Sequence, residues 1–128
     1  MIAAQGCAGE TDLFGRAQFI TGRLLKYAYS QHFLRVIGNE SIVPRGALFA
    51  FLMSEIAYRI RKGYQIGSMQ QDFHPEMMKS MPIPLIDYEV AKEIDCIVRS
   101  AYQNFDVATE LEDQARALVE RAIEEGGQ

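Results

Sequence analysis

Residues 87–125 read DYEVAKEIDCIVRSAYQNFDVATELEDQARALVERAIEE, a run without proline or glycine that is entered from Met81-Pro82-Ile83-Pro84-Leu85 and meets Gly126-Gly127 at its end. The two prolines cannot continue a helix interior, Asp87 can cap a first turn, and the paired glycines supply the left-handed or frayed ending that helices need. The stretch therefore predicts one long helix. At about 1.5 Å per residue it would run roughly 58 Å, longer than a domain of this size is wide, so it must project or pair.

Its apolar residues keep a seven-residue register. Ile94, Ala101, Ala108, Ala115 and Ala122 occupy one core position, and Val90, Ile97, Leu111 and Leu118 the other, with Asn104 interrupting the second series. A column of alanines lets two backbones approach closely, and a lone Asn at a core position fixes register at some cost in stability. Val98, Phe105 and Val119 lie beside this seam and widen the stripe. Such a helix either folds back on its own domain or pairs with another long helix; the alanine column favours pairing.

The 128 residues fit one domain, 1–86, plus the helix appendage, 87–128. No apolar run approaches the ~18 residues that cross a bilayer, and the N-terminus lacks the basic and apolar regions of a signal peptide. No membrane contact is expected, and the cytoplasm is the expected compartment. Cys7 and Cys96 form neither a CxxC pair nor a framework, which predicts reduced thiols without an assigned role.

The net charge of -4 is unevenly spread. Residues 1–67 carry eight Lys/Arg against four Asp/Glu, net +4, whereas residues 68–128 carry five against thirteen, net -8. A basic globular part joined to an acidic helix suits a protein that meets an anion with one end and a protein with the other.

In chain order, Gly9 to Asp12 reads as a loop, and Arg16–Ile20, Lys26–Tyr29 and His32–Ile37 read as short strands divided by turn residues. From Ala47 the apolar spacing through Ile56, Ala57 and Ile60 predicts one helix of about four turns, stopping at Gly63. Tyr64–Ile66 predicts another strand, followed by a polar loop over Gly67 to Asp72. A short helix is expected over His74–Ser80, with Pro75 at its first position, and an extended connection over Met81–Leu85. The fold class expected is α+β, a partial β-rich domain with short helices followed by one long helix.

Catalytic signatures are missing from the sequence. Neither a GxxxxGK[ST] phosphate loop nor a GxSxG elbow occurs, and His32 and His74 have no partner at metal-ligand spacing. Glu76 and Lys79 lack the clustered carboxylates that would hold a cation for phosphodiester cleavage. A non-enzymatic role, without a metal or cofactor in this chain, is the expectation.

One constellation is positive. Arg16, Arg23, Lys26, Arg35 and Arg45 alternate with Phe14, Phe19, Tyr27, Tyr29 and Phe33, placing cations and aromatic rings on the same half. Arginine can meet phosphate or guanine edges, while Gln31, His32, Gln70 and Gln71 offer weaker contacts to base edges. Read without a binding role, the aromatics are core and the cations a soluble surface.

The order of features adds a family reading. Phe14-Gly15-Arg16, Ser30-Gln31-His32 through Leu34-Arg35-Val36-Ile37, Gly46-Ala47-Leu48-Phe49-Ala50-Phe51-Leu52-Met53-Ser54, Gly67-Ser68, and Ile83-Pro84-Leu85 before a long acidic helix together resemble the DNA specificity subunit of type I restriction-modification systems. The resemblance runs over nearly the whole chain and rests on order and spacing. It implies that residues 1–86 are the distal half of one target recognition domain, whose opening strands would precede Met1. It further implies that the chain reads part of a double-stranded DNA site, that the long helix sets spacing and docks a DNA methyltransferase subunit, and that two copies of the chain pair their long helices as an antiparallel coiled coil, a homodimer in which each takes the place of the complete subunit's second helix. S-adenosylmethionine would sit on that partner. The alternatives are the recognition part of a fused restriction-methyltransferase enzyme, or a dimerising adaptor that does not bind DNA.

Overall fold

The computed structural model describes residues 1–128 except 8, 10, 11, 69, 127 and 128, so the loops expected at 9–12 and 67–72 and the paired-glycine ending lie partly outside the described residues. The elements in order are β1 (Ile2–Ala3), a 3-10 turn (Gly22–Lys26), β2 (Phe33–Leu34), α1 (Arg45–Met53), α2 (Glu55–Lys62), β3 (Gln65–Ile66), β4 (Asp72–Phe73), α3 (Pro75–Lys79) and α4 (Tyr88–Gly126). The architecture is mixed, with helices, two small sheets and one long C-terminal helix.

β1 runs antiparallel to β2, with Ile2 opposite Leu34 and Ala3 opposite Phe33, and bridges Ala17 on its other edge. Backbone bonds from Ala3 N to Arg16 O (3.0 Å), Gly15 N to Ala3 O (2.8 Å) and Ala4 N to His32 O (2.8 Å) hold this ribbon. The three strands expected between residues 16 and 37 are thus reduced. Residues 16–20 contribute a single bridge, the 3-10 turn ends within the second run, and the third keeps two residues. A strand exists only where a neighbour offers its ladder, and β1 is two residues long. β3 and β4 pair as a second ribbon, next to a bridge between Gly6 and Gln71.

The single helix expected through Ile60 is two. Ser54 adopts φ -64° and ψ 150°, and its hydroxyl accepts the Ala57 N–H at 3.2 Å. A serine that caps a new first turn ends the helix before it. The break leaves the last-turn carbonyl of Leu52 without a helical donor, and Arg61 of α2 supplies one: its Nη2 donates to Leu52 O at 2.6 Å and its Nε to Gly15 O at 3.0 Å. Beneath lies the core of Ile2, Ala4, Phe14, Ala17, Leu52 and Phe73, in which the Phe14 and Phe73 rings stack 4.5 Å apart.

α3 has Pro75 at its first turn as the sequence predicts, and 81–87 is an extended connection. α4 then starts where its capping signal stands, the Asp87 carboxylate accepting the N–H groups of Glu89 (3.0 Å) and Val90 (3.2 Å). Among the described residues no helix is long and apolar enough to cross a membrane.

Candidate functional site

α4 has two faces in different surroundings. The inner face, Ala91, Ile94, Asp95, Val98, Tyr102, Asp106 and Thr109, is buried or half-buried against the rest of the chain. Tyr102 meets Phe19 (5.1 Å between ring centres) and Phe49 (5.4 Å), and these two rings meet each other at 5.2 Å, so three aromatics clamp the helix on α1 and the segment before the 3-10 turn. Burial raises the Tyr102 phenol above its usual value.

Three aspartates complete the seat. Asp95 Oδ1 accepts the Gly46 N–H at 2.6 Å, giving α1 a cap that its own N-cap residue, Pro44, cannot provide. Its other oxygen holds Arg99 Nε at 2.6 Å, and that bond raises the Arg99 pKa. Asp106 accepts from Thr21 Oγ1 at 3.3 Å, and Asp113 pairs with Arg23 at 3.2 Å. The three lie 11 and 7 positions apart, whole numbers of turns apart on one side of a helix. This short-acid column, absent from the sequence reading, is the signal that would have revealed the inner face.

The seven-residue seam lies about a third of a turn away. Val90, Ile97, Ala101, Asn104, Ala108, Leu111, Ala115, Leu118 and Ala122 are all exposed, and only Ile94 is shared with the inner face. Val90, Ile97, Leu111 and Leu118 leave 49 %, 64 %, 58 % and 60 % of their surface to solvent. From Glu110 onward every described residue is exposed. The reading that folds the helix back on its own domain holds for its first part, and the apolar seam remains exposed.

The eight expected nucleic-acid contacts are dispersed. The Arg16 guanidinium lies 4.6 Å over the Tyr58 ring, on the α2 side. Arg23 faces Asp113. Lys26, Gln31, His32 and Arg35 are exposed along the segment from the 3-10 turn through β2. Gln70 is exposed near the β3–β4 ribbon, whereas Gln71 is only 7 % exposed and its amide donates to Ser68 O at 2.5 Å. Gln71 is withdrawn from the surface because its backbone forms the bridge to Gly6.

Between the 3-10 turn, β2 and α1 opens a groove of about 900 Å³ lined by the rings of Tyr27, Tyr29, Phe33 and Phe49, by Leu48, and by Arg35, Arg45 and Arg99. Tyr29 and Phe33 meet edge to face at 6.1 Å. Arg45 and Arg99 share the Glu40 carboxylate at 2.5 and 3.3 Å. Among the described residues no group of His, Cys, Asp and Glu could hold a metal ion. No family model, curated protein or solved structure matches this chain.

Proposed function

We propose that the chain is a non-catalytic DNA-recognition component that resembles the specificity subunit of type I restriction-modification systems. The observation that carries this reading is the division of labour on α4. Its inner face is occupied by its own domain, yet it leaves an apolar seven-residue seam exposed, next to a half of the chain whose net charge is +4. A helix that is already folded down does not need such a seam for its own stability.

In this reading the exposed segment carrying Lys26, Gln31, His32 and Arg35 faces double-stranded DNA, with Gln70 as an outlying contact. Arg23 can exchange Asp113 for a phosphate at little cost, since a half-exposed ion pair contributes only about 0–1 kcal/mol. α4 pairs with the α4 of a second copy and presents its acidic outer surface to a DNA methyltransferase subunit, which would hold S-adenosylmethionine. Recognition and methyl transfer would then reside on different chains.

The test is a reconstitution with a methyltransferase subunit and a complementary recognition half. Site-specific duplex binding should appear, and Arg35→Ala should reduce it. Uniform weakening across sequences marks a phosphate contact; a loss of about 1–3 kcal/mol at one base pair, with relaxed specificity there, marks a base contact. A dimer that shows no salt-dependent duplex affinity in this assay would instead favour the adaptor reading.

A further inference from the structure

The stretch from Leu13 to Asn39 contains Arg16, Arg23, Lys26 and Arg35 and not one Asp or Glu. The same stretch leaves large apolar groups in water: Tyr27 is 56 % exposed, Phe33 42 % and Tyr29 39 %. Exposed aromatic clusters of this kind mark binding surfaces, because ordinary folding covers them. All three rings line the groove described above, together with Arg35. None of the groove's lining residues is acidic. Two further lining guanidiniums, Arg45 and Arg99, share the single carboxylate of Glu40, so that part of the lining is also net positive.

Flat rings, cations and an acid-free lining select a particular ligand chemistry. A paired duplex hides its base faces and offers only edges and phosphates. An unpaired strand offers π faces to stack on aromatic side chains, with a phosphate after each base. The groove's volume is within the range of ligand clefts, roughly 300–1,000 Å³. We infer that this groove takes an unpaired stretch of nucleic acid, with bases stacked on Tyr27, Tyr29 and Phe33 and a phosphate beside Arg35. The inference rests on the nucleic-acid reading above, and adds to the duplex-facing segment a groove for a locally opened strand.

Labelled oligothymidine, oligouridine and a duplex of equal length, titrated by fluorescence anisotropy at low salt, test it on the full chain. A single strand should bind about tenfold tighter than the duplex, and the two single-stranded arms decide which sugar is preferred. Tyr27→Ala and Phe33→Ala should each weaken strand binding by about fivefold to a hundredfold. Arg35→Ala should reduce the logarithmic salt slope by about 0.7. Tyr27→Trp keeps a stacking face and introduces an indole into a chain that has no Trp; its fluorescence should be quenched by the strand, a readout that holds even if an alanine variant does not fold. Duplex binding equal to strand binding, affinity indifferent to both rings, or an unquenched indole overturns the inference. Absent strand binding beside intact duplex recognition in the reconstituted complex removes this inference alone. Strand binding without duplex recognition removes the specificity reading alone.

Discussion

Arg61 has 1 % of its surface exposed and spends its guanidinium on two carbonyl oxygens, Gly15 and Leu52. Burial lowers its pKa to about 10. Because that value is below the one it has in the unfolded chain, the cost of burying the charge is fully present below about pH 10 and is relieved only as pH rises beyond it. Arg61 should therefore contribute no slope to stability between about pH 6 and 9. Arg61→Met should lower unfolding free energy by about 2–4 kcal/mol in urea titrations, since two charge-assisted bonds disappear and two carbonyls are left dry, offset in part by the relieved desolvation. Gly46 is as constrained for a steric reason. A Cβ there would stand 2.8 Å from the Asp95 Cα and 2.7 Å from its Oδ1. Alanine would gain about 1 kcal/mol in helix propensity, but a backbone atom cannot rotate away, so overpacking of about 1–3 kcal/mol decides the sign. Gly46→Ala should destabilise the chain in the same titration, and a rise in stability would show that α4 can shift on α1.

α4 as an element makes the sharper prediction. If two copies pair antiparallel, the register that matches Val90 with Ala122, Ile97 with Ala115, Ala101 with Leu111 and Asn104 with Ala108 sets a small residue against a larger one in each of these layers, and Ile94 with Leu118 closes the set. The same register brings Glu93 beside Arg121 of the second copy. Light scattering over a concentration series should show a dimer; a strict monomer at the highest soluble concentration sinks the pairing. Ala108→Lys should weaken it by placing a long charged chain where a methyl group fits. With the exposed Cys7 and Cys96 replaced by serine, a mixture of Ala101→Cys and Leu111→Cys chains should cross-link as a heterodimer on mild oxidation in this register, whereas parallel helices would bring like positions together and cross-link each single variant to itself.

Over the whole molecule the acidic helix opposes the basic half. With about three phosphate contacts the logarithmic salt slope of duplex binding should be near -3, and the isolated chain should bind duplex DNA weakly at physiological salt. Affinity insensitive to salt would argue against a backbone contact. The limits of α4 and α3 and the uneven charge were legible in the sequence because prolines, caps and ionised groups act within a few residues of themselves. Asp87 caps its own first turn, and Pro75 starts its own helix. The break at Ser54 was also carried by a local residue, yet the apolar spacing on both sides concealed it. Strand lengths were not legible, because residues 16–37 form ladder only where β1 reaches them. Nor was the choice of inner face on α4, where the seam and the Ala91–Tyr102 face share the helical period. Contacts such as Thr21 to Asp106 and Arg23 to Asp113, spanning 85 and 90 positions, made that choice. Local chemistry set where the helices begin and end, and long-range packing alone set which side of α4 is covered and which stays exposed.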